Sequence, residues 1–168
     1  MRLDCREQWA AQNADAIRAY NEHVTQHGSF NTMHSIEDGA GHTDQERANV
    51  HVAVAFYETL LNAKDVDAAR QYVGPHYRQH SPLAADGFAA LRAFLLAMFE
   101  QHPQMRIEIK RAFADGDYVI LHVHARLGPE DRGAAVVDIF RFEHGKIVEH
   151  WDVLQQIPEA APNANSMF

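Results

Sequence analysis

The sequence predicts an α+β domain: helices first, then a curved, mostly antiparallel sheet, with an extra helix ahead of both. Two observations carry this. Apolar residues recur with a period near 3.6 up to Pro103, and near 2 beyond it. Turn signals at Asp115-Gly116 and Glu143-His144-Gly145 cut the second part into strands of similar length. Helices covering one face of such a sheet enclose a core between them.

Residues 5–27 carry one helical stripe of Trp9, Asn13, Ile17, Tyr20 and Val24. Asp4 is placed to cap its start and Gly28 its end. Asn13 interrupts the stripe, so this helix needs another surface to lie against. Residues 28–45 have no sustained period and read as a linker. Over 46–62, Val50, Ala53, Val54, Tyr57 and Leu61 share a helical face. Asp65 caps a short second helix that ends before Gly74-Pro75. Residues 76–81 are extended and stop at Pro82. Asp86 precedes a third helix with Phe88, Leu91, Leu95 and Met98 aligned, which Pro103 ends. Strands follow at 105–114, 118–127, 134–142 and 147–155. From Pro158 the chain is rich in Ala, Asn and Pro and is expected to be loose. The expected units are therefore 1–45 (N-terminal helix and linker), 46–157 (the α+β domain) and 158–168 (the tail).

Length and charge bound the function. The chain has 168 residues, enough for one domain with a core of its own. Fifteen Lys and Arg against 23 Asp and Glu leave a net charge of −8. That argues against nucleic acid, whose affinity comes mainly from phosphate neutralisation. No run approaches the roughly 20 apolar residues of a membrane span, and no signal-peptide pattern opens the chain. Cys5 is the only cysteine, so no internal disulfide is available and the cytoplasm is the expected compartment.

The chemistry is sought where polar residues stand at core positions. Asp138 shares a strand face with Val136, Phe140 and Phe142. A carboxylate there is costly unless paired or protonated, and such burial suits acid–base work. The competing reading is a partly wet aspartate near the strand start. The hairpin register decides what faces it. A two-residue His144-Gly145 loop pairs Asp138 with Trp151. A three-residue loop with Gly145 in a bulge pairs it with His150, and is favoured here because Gly145 then sits where φ is positive. That register also places Val148, His150 and Asp152 on the core side. His80, with Tyr77 nearby, and His122 or His124 are expected to converge on Asp138 and His150. Alternatively His122 and His124 form a stripe on a solvated outer face. His-x-His plus a carboxylate is a usable metal donor set, but no HExxH or dense Cys/His spacing supports it, so no metal is expected. The sequence has no GxGxxG, P-loop or GxSxG.

Residues 46–157 resemble the SnoaL-like branch of the nuclear-transport-factor-2-like superfamily. The resemblance is carried by Val-Ala-Phe-Tyr-Glu-Thr-Leu-Leu-Asn at 54–62 and Tyr-Arg-Gln-His-Ser-Pro at 77–82. Its longest run is Val-Asp-Ile-Phe-Arg-Phe-Glu-His-Gly-Lys-Ile-Val-Glu-His-Trp-Asp-Val-Leu-Gln at 137–155. It implies a cone-shaped α+β fold of three helices on a curved sheet around a pocket, frequent homodimers, and chemistry without metal or other cofactor. In polyketide cyclases of this kind an aspartate on the penultimate strand is the proposed acid–base residue, and Asp138 matches it. The resemblance implies catalytic roles for Asp138, His150 and His80. Tyr77, His122, His124, Phe140, Trp151 and Asp152 would contact a small apolar carbonyl compound. In epoxide hydrolases of the same fold an Asp-Arg-Asp set does the work; here His122 and His124 stand in place of its central pair, which argues against that reaction. Many superfamily members only bind ligands, and fold alone does not decide.

The first 30 residues resemble the toxin-binding tail of CcdA-type antitoxins, through residues 9–17, Ala-Tyr-Asn-Glu-His-Val at 19–24 and His-Gly-Ser-Phe at 27–30. That implies a protein partner for residues 5–30. A helix docked on its own domain, or across a dimer, is the simpler expectation. Three functions thus stand at this stage: an aldol-type cyclase or isomerase, a non-catalytic ligand binder, and an interaction protein using its N-terminal helix.

Overall fold

The computed structural model describes residues 43–168 and, ahead of them, Arg18. The expected helix over 5–27 and most of its linker lie outside the described residues. Helix α1 runs Asp44–Tyr57 and continues as a π-helical turn, Glu58–Asn62. Thr43 and Glu46 close a capping box: Glu46 N–H donates to Thr43 Oγ1 at 3.2 Å, and Thr43 N–H donates to Glu46 Oε2 at 2.6 Å. The wider π turn carries one residue more than an α turn would, a feature common beside functional sites. Asn62 anchors that turn to the sheet by accepting from Ile107 N–H at 3.0 Å.

Helix α2 (Val66–Ala69) is capped by Asp65, whose Oδ1 accepts from Ala68 N–H, and a 3-10 turn, Arg70–Tyr72, leads into β1, Val73–Gln79. Helix α3 spans Phe88–Gln101 and buries Leu91, Leu95 and Phe99. Asp86 turns back rather than capping α3: its Oδ1 accepts from Gln79 N–H at 2.8 Å and Gly87 N–H at 3.1 Å, fastening the connecting loop to β1.

Strands β2 (Arg106–Asp115), β3 (Tyr118–Arg126), β4 (Ala134–Glu143) and β5 (Lys146–Gln156) form the expected meander. The sheet order is β1-β5-β4-β3-β2, with β1 parallel to β5 and every other pair antiparallel. Alternation along β3 and β4 puts Val119, Leu121, Val123, Val136, Asp138, Phe140 and Phe142 beneath the helices. Phe56 of α1 meets Phe140 edge-on, with centroids 6.0 Å apart, and Tyr57 does the same at 5.3 Å.

The β4–β5 hairpin corrects the expected register. Its loop is the two-residue His144-Gly145, with φ of 51° and 70°, and Glu143 pairs with Lys146. One step further in, Phe142 pairs with Ile147 but Arg141 with Glu149, leaving Val148 as the extra residue of a bulge. The bulge moves the pairing on by one, so Asp138 faces Asp152 and not His150. The assignment of faces survives because an added residue restores the parity of the three-residue loop. Gly74 of β1 passes so close to the bulge that a Cβ there would lie 2.8 Å from Val148 Cγ1. Gly145→Ala should cost about 1–2 kcal/mol, because its left-handed φ crowds any Cβ; urea unfolding at unchanged slope measures this.

The segment after Pro158, expected to be loose, returns to the sheet. Glu159 lies 3.4 Å from Arg132, and the Phe168 ring packs 4.6 Å from His124 and 5.3 Å from His122. No described helix is long and apolar enough to cross a membrane.

Candidate active site

Between the helices and the sheet lies a cavity of about 170 Å³. Its walls are mostly carbon: Phe56, Leu60 and Leu61 from α1 and its π turn, Leu91, Phe94, Leu95 and Met98 from α3, and Val123, Val136 and Phe140 from the sheet. Polar groups gather at one end, where Tyr57, Tyr77, Gln79, Asp138, His150 and Asp152 converge. Leu83, 64% exposed, and Leu154, 48% exposed, mark the mouth.

Asp138 is 3% exposed. His150 reaches it diagonally across the two strands, with Nε2 3.0 Å from Asp138 Oδ1. The other imidazole nitrogen, Nδ1, lies 2.8 Å from Gln79 Oε1. The orientation of Gln79 is set by its neighbours. Ser81 N–H donates to Oε1 at 3.0 Å, and Gln79 Nε2 donates to the Tyr77 hydroxyl at 3.1 Å. An amide oxygen only accepts, so His150 Nδ1 must carry a proton. In a neutral imidazole Nε2 is then a bare lone pair, and it faces a carboxylate oxygen. The contact therefore holds one proton, on His150 or on Asp138. Below His150 the Phe140 ring stacks at 4.9 Å.

Among the described residues, Asp138 Oδ2 has no hydrogen-bond partner. The Tyr57 hydroxyl lies beside this carboxylate. Burial pushes the Tyr57 pKa well above the tyrosine range, and the neighbouring Asp138 charge adds to the rise. Tyr77 is raised by the same two causes, burial first. Both hydroxyls stay protonated donors in the cavity. Because their folded pKa values are raised, the associated stability is complete below the unfolded value near 10 and is lost as pH climbs above it. Alkaline unfolding should therefore steepen by about 1.4 kcal/mol per pH unit for each of the two tyrosines. Tyr57→Phe and Tyr77→Phe should each flatten that slope in a denaturation series between neutral and alkaline pH.

The structure brings together seven residues, five expected and two newly found, and leaves four expected ones outside. Asp138, His150, Tyr77, Phe140 and Asp152 line the cavity as expected from the sequence. His80, His122, His124 and Trp151 do not line it. His80 lies just past the end of β1, where Tyr77 and Gln79 point inward and it points out. It stacks on Trp151 at 4.4 Å and lies 3.6 Å from Glu149. Trp151 is outward because it alternates with His150 and Asp152. His122 and His124 alternate with buried Leu121 and Val123 on β3. Arg111 donates to His122 Nδ1 at 3.1 Å, and His124 Nε2 donates to Arg132 O at 2.8 Å. Burial, then the Arg111 charge, lowers the His122 pKa. Sequence reasoning missed Gln79 and Tyr57 as site residues. Gln79 was legible as the same-face neighbour of Tyr77 two residues on.

Residues 53–150 match the family model of the SnoaL-like domain. The chain belongs to the SnoaL-like domain family. This SnoaL-like protein is also similar in fold to several solved structures. One, from Jannaschia sp. CCS1 and assigned as a SnoaL-like polyketide cyclase, is 20% identical with a TM-score of 0.60, over 69% of this chain and 91% of that one. A second, from Bacillus cereus ATCC 10987 and assigned as a polyketide cyclase, is 21% identical with a TM-score of 0.56, over 64% and 74%. A third, AclR from Streptomyces galilaeus, assigned as a hydroxylase, is 21% identical with a TM-score of 0.56, over 67% and 82%. At such identities the likeness establishes the fold and not the reaction. Residues 2–34 match the model of the post-segregation antitoxin CcdA, a short stretch outside the described residues apart from Arg18. A comparison with curated proteins finds no match.

Proposed function

We propose that this SnoaL-like domain takes up a small apolar carbonyl compound and moves a proton at the carbon next to its carbonyl, as in aldol-type cyclisation or isomerisation. The single proton held between Asp138 Oδ1 and His150 Nε2, 3.0 Å apart at the end of a carbon-walled cavity, carries this reading. Asp138 is the base: its unpartnered Oδ2 is the oxygen available to a substrate C–H. His150 holds or returns the proton, fixed in tautomer by Gln79. Tyr57 and Tyr77 are hydroxyl donors for the oxygen that becomes negative. The cavity is similar in size to the roughly 150 Å³ that admits a benzene ring, so a single ring with short substituents fits inside. A longer ligand extends through the mouth past Leu83 and Leu154.

Proton exchange tests this without knowledge of the natural substrate. A single-ring ketone in D₂O should lose its α-protons faster with the protein than with buffer, and the acceleration should saturate with ketone. Saturable binding with no exchange would sink the catalytic reading and leave a ligand-binding domain. The antitoxin-like match at 2–34 favours a second role, a grip on a protein partner through the N-terminal segment. Deleting residues 1–40 should then abolish partner capture and leave the melting of the 46–157 domain unchanged.

A further inference from the structure

The polar end of the cavity carries a charge imbalance that one proton does not cancel. Asp138 and Asp152 sit directly opposite each other on β4 and β5. Among the described residues, no lysine or arginine lines the cavity. One donor atom each of Asp138, His150 and Asp152 lies within 4.8 Å of the others. Asp138 Oδ2, on a side chain only 3% exposed, has no hydrogen-bond partner among the described residues. Two carboxylates in an apolar enclosure repel unless a proton or a cation stands between them.

We propose that Asp138, His150 and Asp152 form a binding site for a borderline divalent metal ion of the zinc(II) class, with a remaining coordination position open to the cavity. No metal is expected from the sequence, where the donor set in view is His-x-His plus a carboxylate, and the fold leaves that His pair on the outer face. The donor chemistry fits: one imidazole and two carboxylates, without sulfur, suit such ions. The imidazole is already oriented, since Gln79 Oε1 accepts from Nδ1–H and directs the Nε2 lone pair inward. Partners of that kind orient metal-bound histidines generally. Zinc bonds of about 2.0–2.2 Å hold donors roughly 3.4 Å apart. Asp138 and His150 are at 3.0 Å, and half-buried Asp152 closes the remainder by turning its side chain. The entering ion displaces the proton shared by Asp138 and His150. Two carboxylates with one proton carry one net negative charge; with a divalent ion in its place they carry none. Metal and proton therefore compete, and the ion inhibits proton transfer.

The site uses the side chains of the acid–base reading but does not depend on it, and its test needs no substrate. The full chain is titrated with cobalt(II), followed by its visible absorption and by proton release. The expected result is a saturating band of a four- or five-coordinate ion, with about one proton released per cobalt bound. Zinc(II) should bleach it. Asp152→Asn and His150→Gln should each weaken cobalt binding by roughly tenfold or more. The double change His122→Gln with His124→Gln, on the opposite face, should leave it unaltered. No saturable band in the unaltered chain overturns the site. So does binding that survives both Asp152→Asn and His150→Gln within twofold. Either failure leaves the ketone-exchange experiment to judge the acid–base reading by itself.

Discussion

Asp138→Asn is expected to lower the rate of ketone α-proton exchange by about 10²–10⁴-fold, the range of a positioned general base. The substitution keeps the shape of the side chain. Its new amide donates to His150 Nε2, satisfying the lone pair that now faces Asp138 Oδ1 at 3.0 Å. Geometry and hydrogen bonding are thus retained, while the group able to take a proton from carbon is gone. The fold should not suffer. The substitution replaces a buried carboxyl group, whose Oδ2 lacks a partner among the described residues, by a neutral amide, which is less costly to bury. The two readings to compare are the exchange rate and the unfolding midpoint. Loss of exchange with the midpoint held or raised supports the role given to Asp138. Exchange that persists at the original rate removes Asp138 from the mechanism.

Phe140→Ala carries the largest expected effect on stability, about 3–5 kcal/mol. Its ring is fully buried, and packs edge-on against Phe56 and Tyr57 while lying under His150. Deleting it opens a void between α1 and the sheet that neither can collapse into without moving the other. Denaturant unfolding should show a lower midpoint at unchanged slope. Exchange activity should also fall at temperatures where the variant is folded, because the surface that holds the His150 imidazole level with Asp138 is lost. A midpoint within 1 kcal/mol of the unaltered chain would mean that the cavity wall is already loose.

Much of the fold was legible because period and punctuation agree. The switch from 3.6 to 2 at Pro103 separated helices from strands, and the helix faces predicted over 46–62 and from Phe88 to Met98 carry buried residues, such as Leu91 and Leu95 on α3. Asp138 was legible as a carboxylate among phenylalanines. The β4–β5 register was not, because the bulge at Val148 is made by an ordinary residue and leaves no glycine or proline mark. His80 shows the limit of local reading. Its motif placed it next to inward-facing Tyr77 and Gln79, but alternation at the strand end turned it outward onto Trp151. Tyr57 looked like a core residue on an apolar stripe. Only the fold reveals that the stripe ends beside a carboxylate from a strand some eighty residues later.

His150 and Asp138 hold one proton between them, with the tautomer set by Gln79. Nitrogen NMR of the His150 ring, assigned with His150→Gln, reads this proton. Nδ1 should carry a proton, and the Nε2 resonance should move strongly in Asp138→Asn while Nδ1 scarcely moves. A bare Nδ1, or an Nε2 resonance indifferent to the change at Asp138, would contradict it.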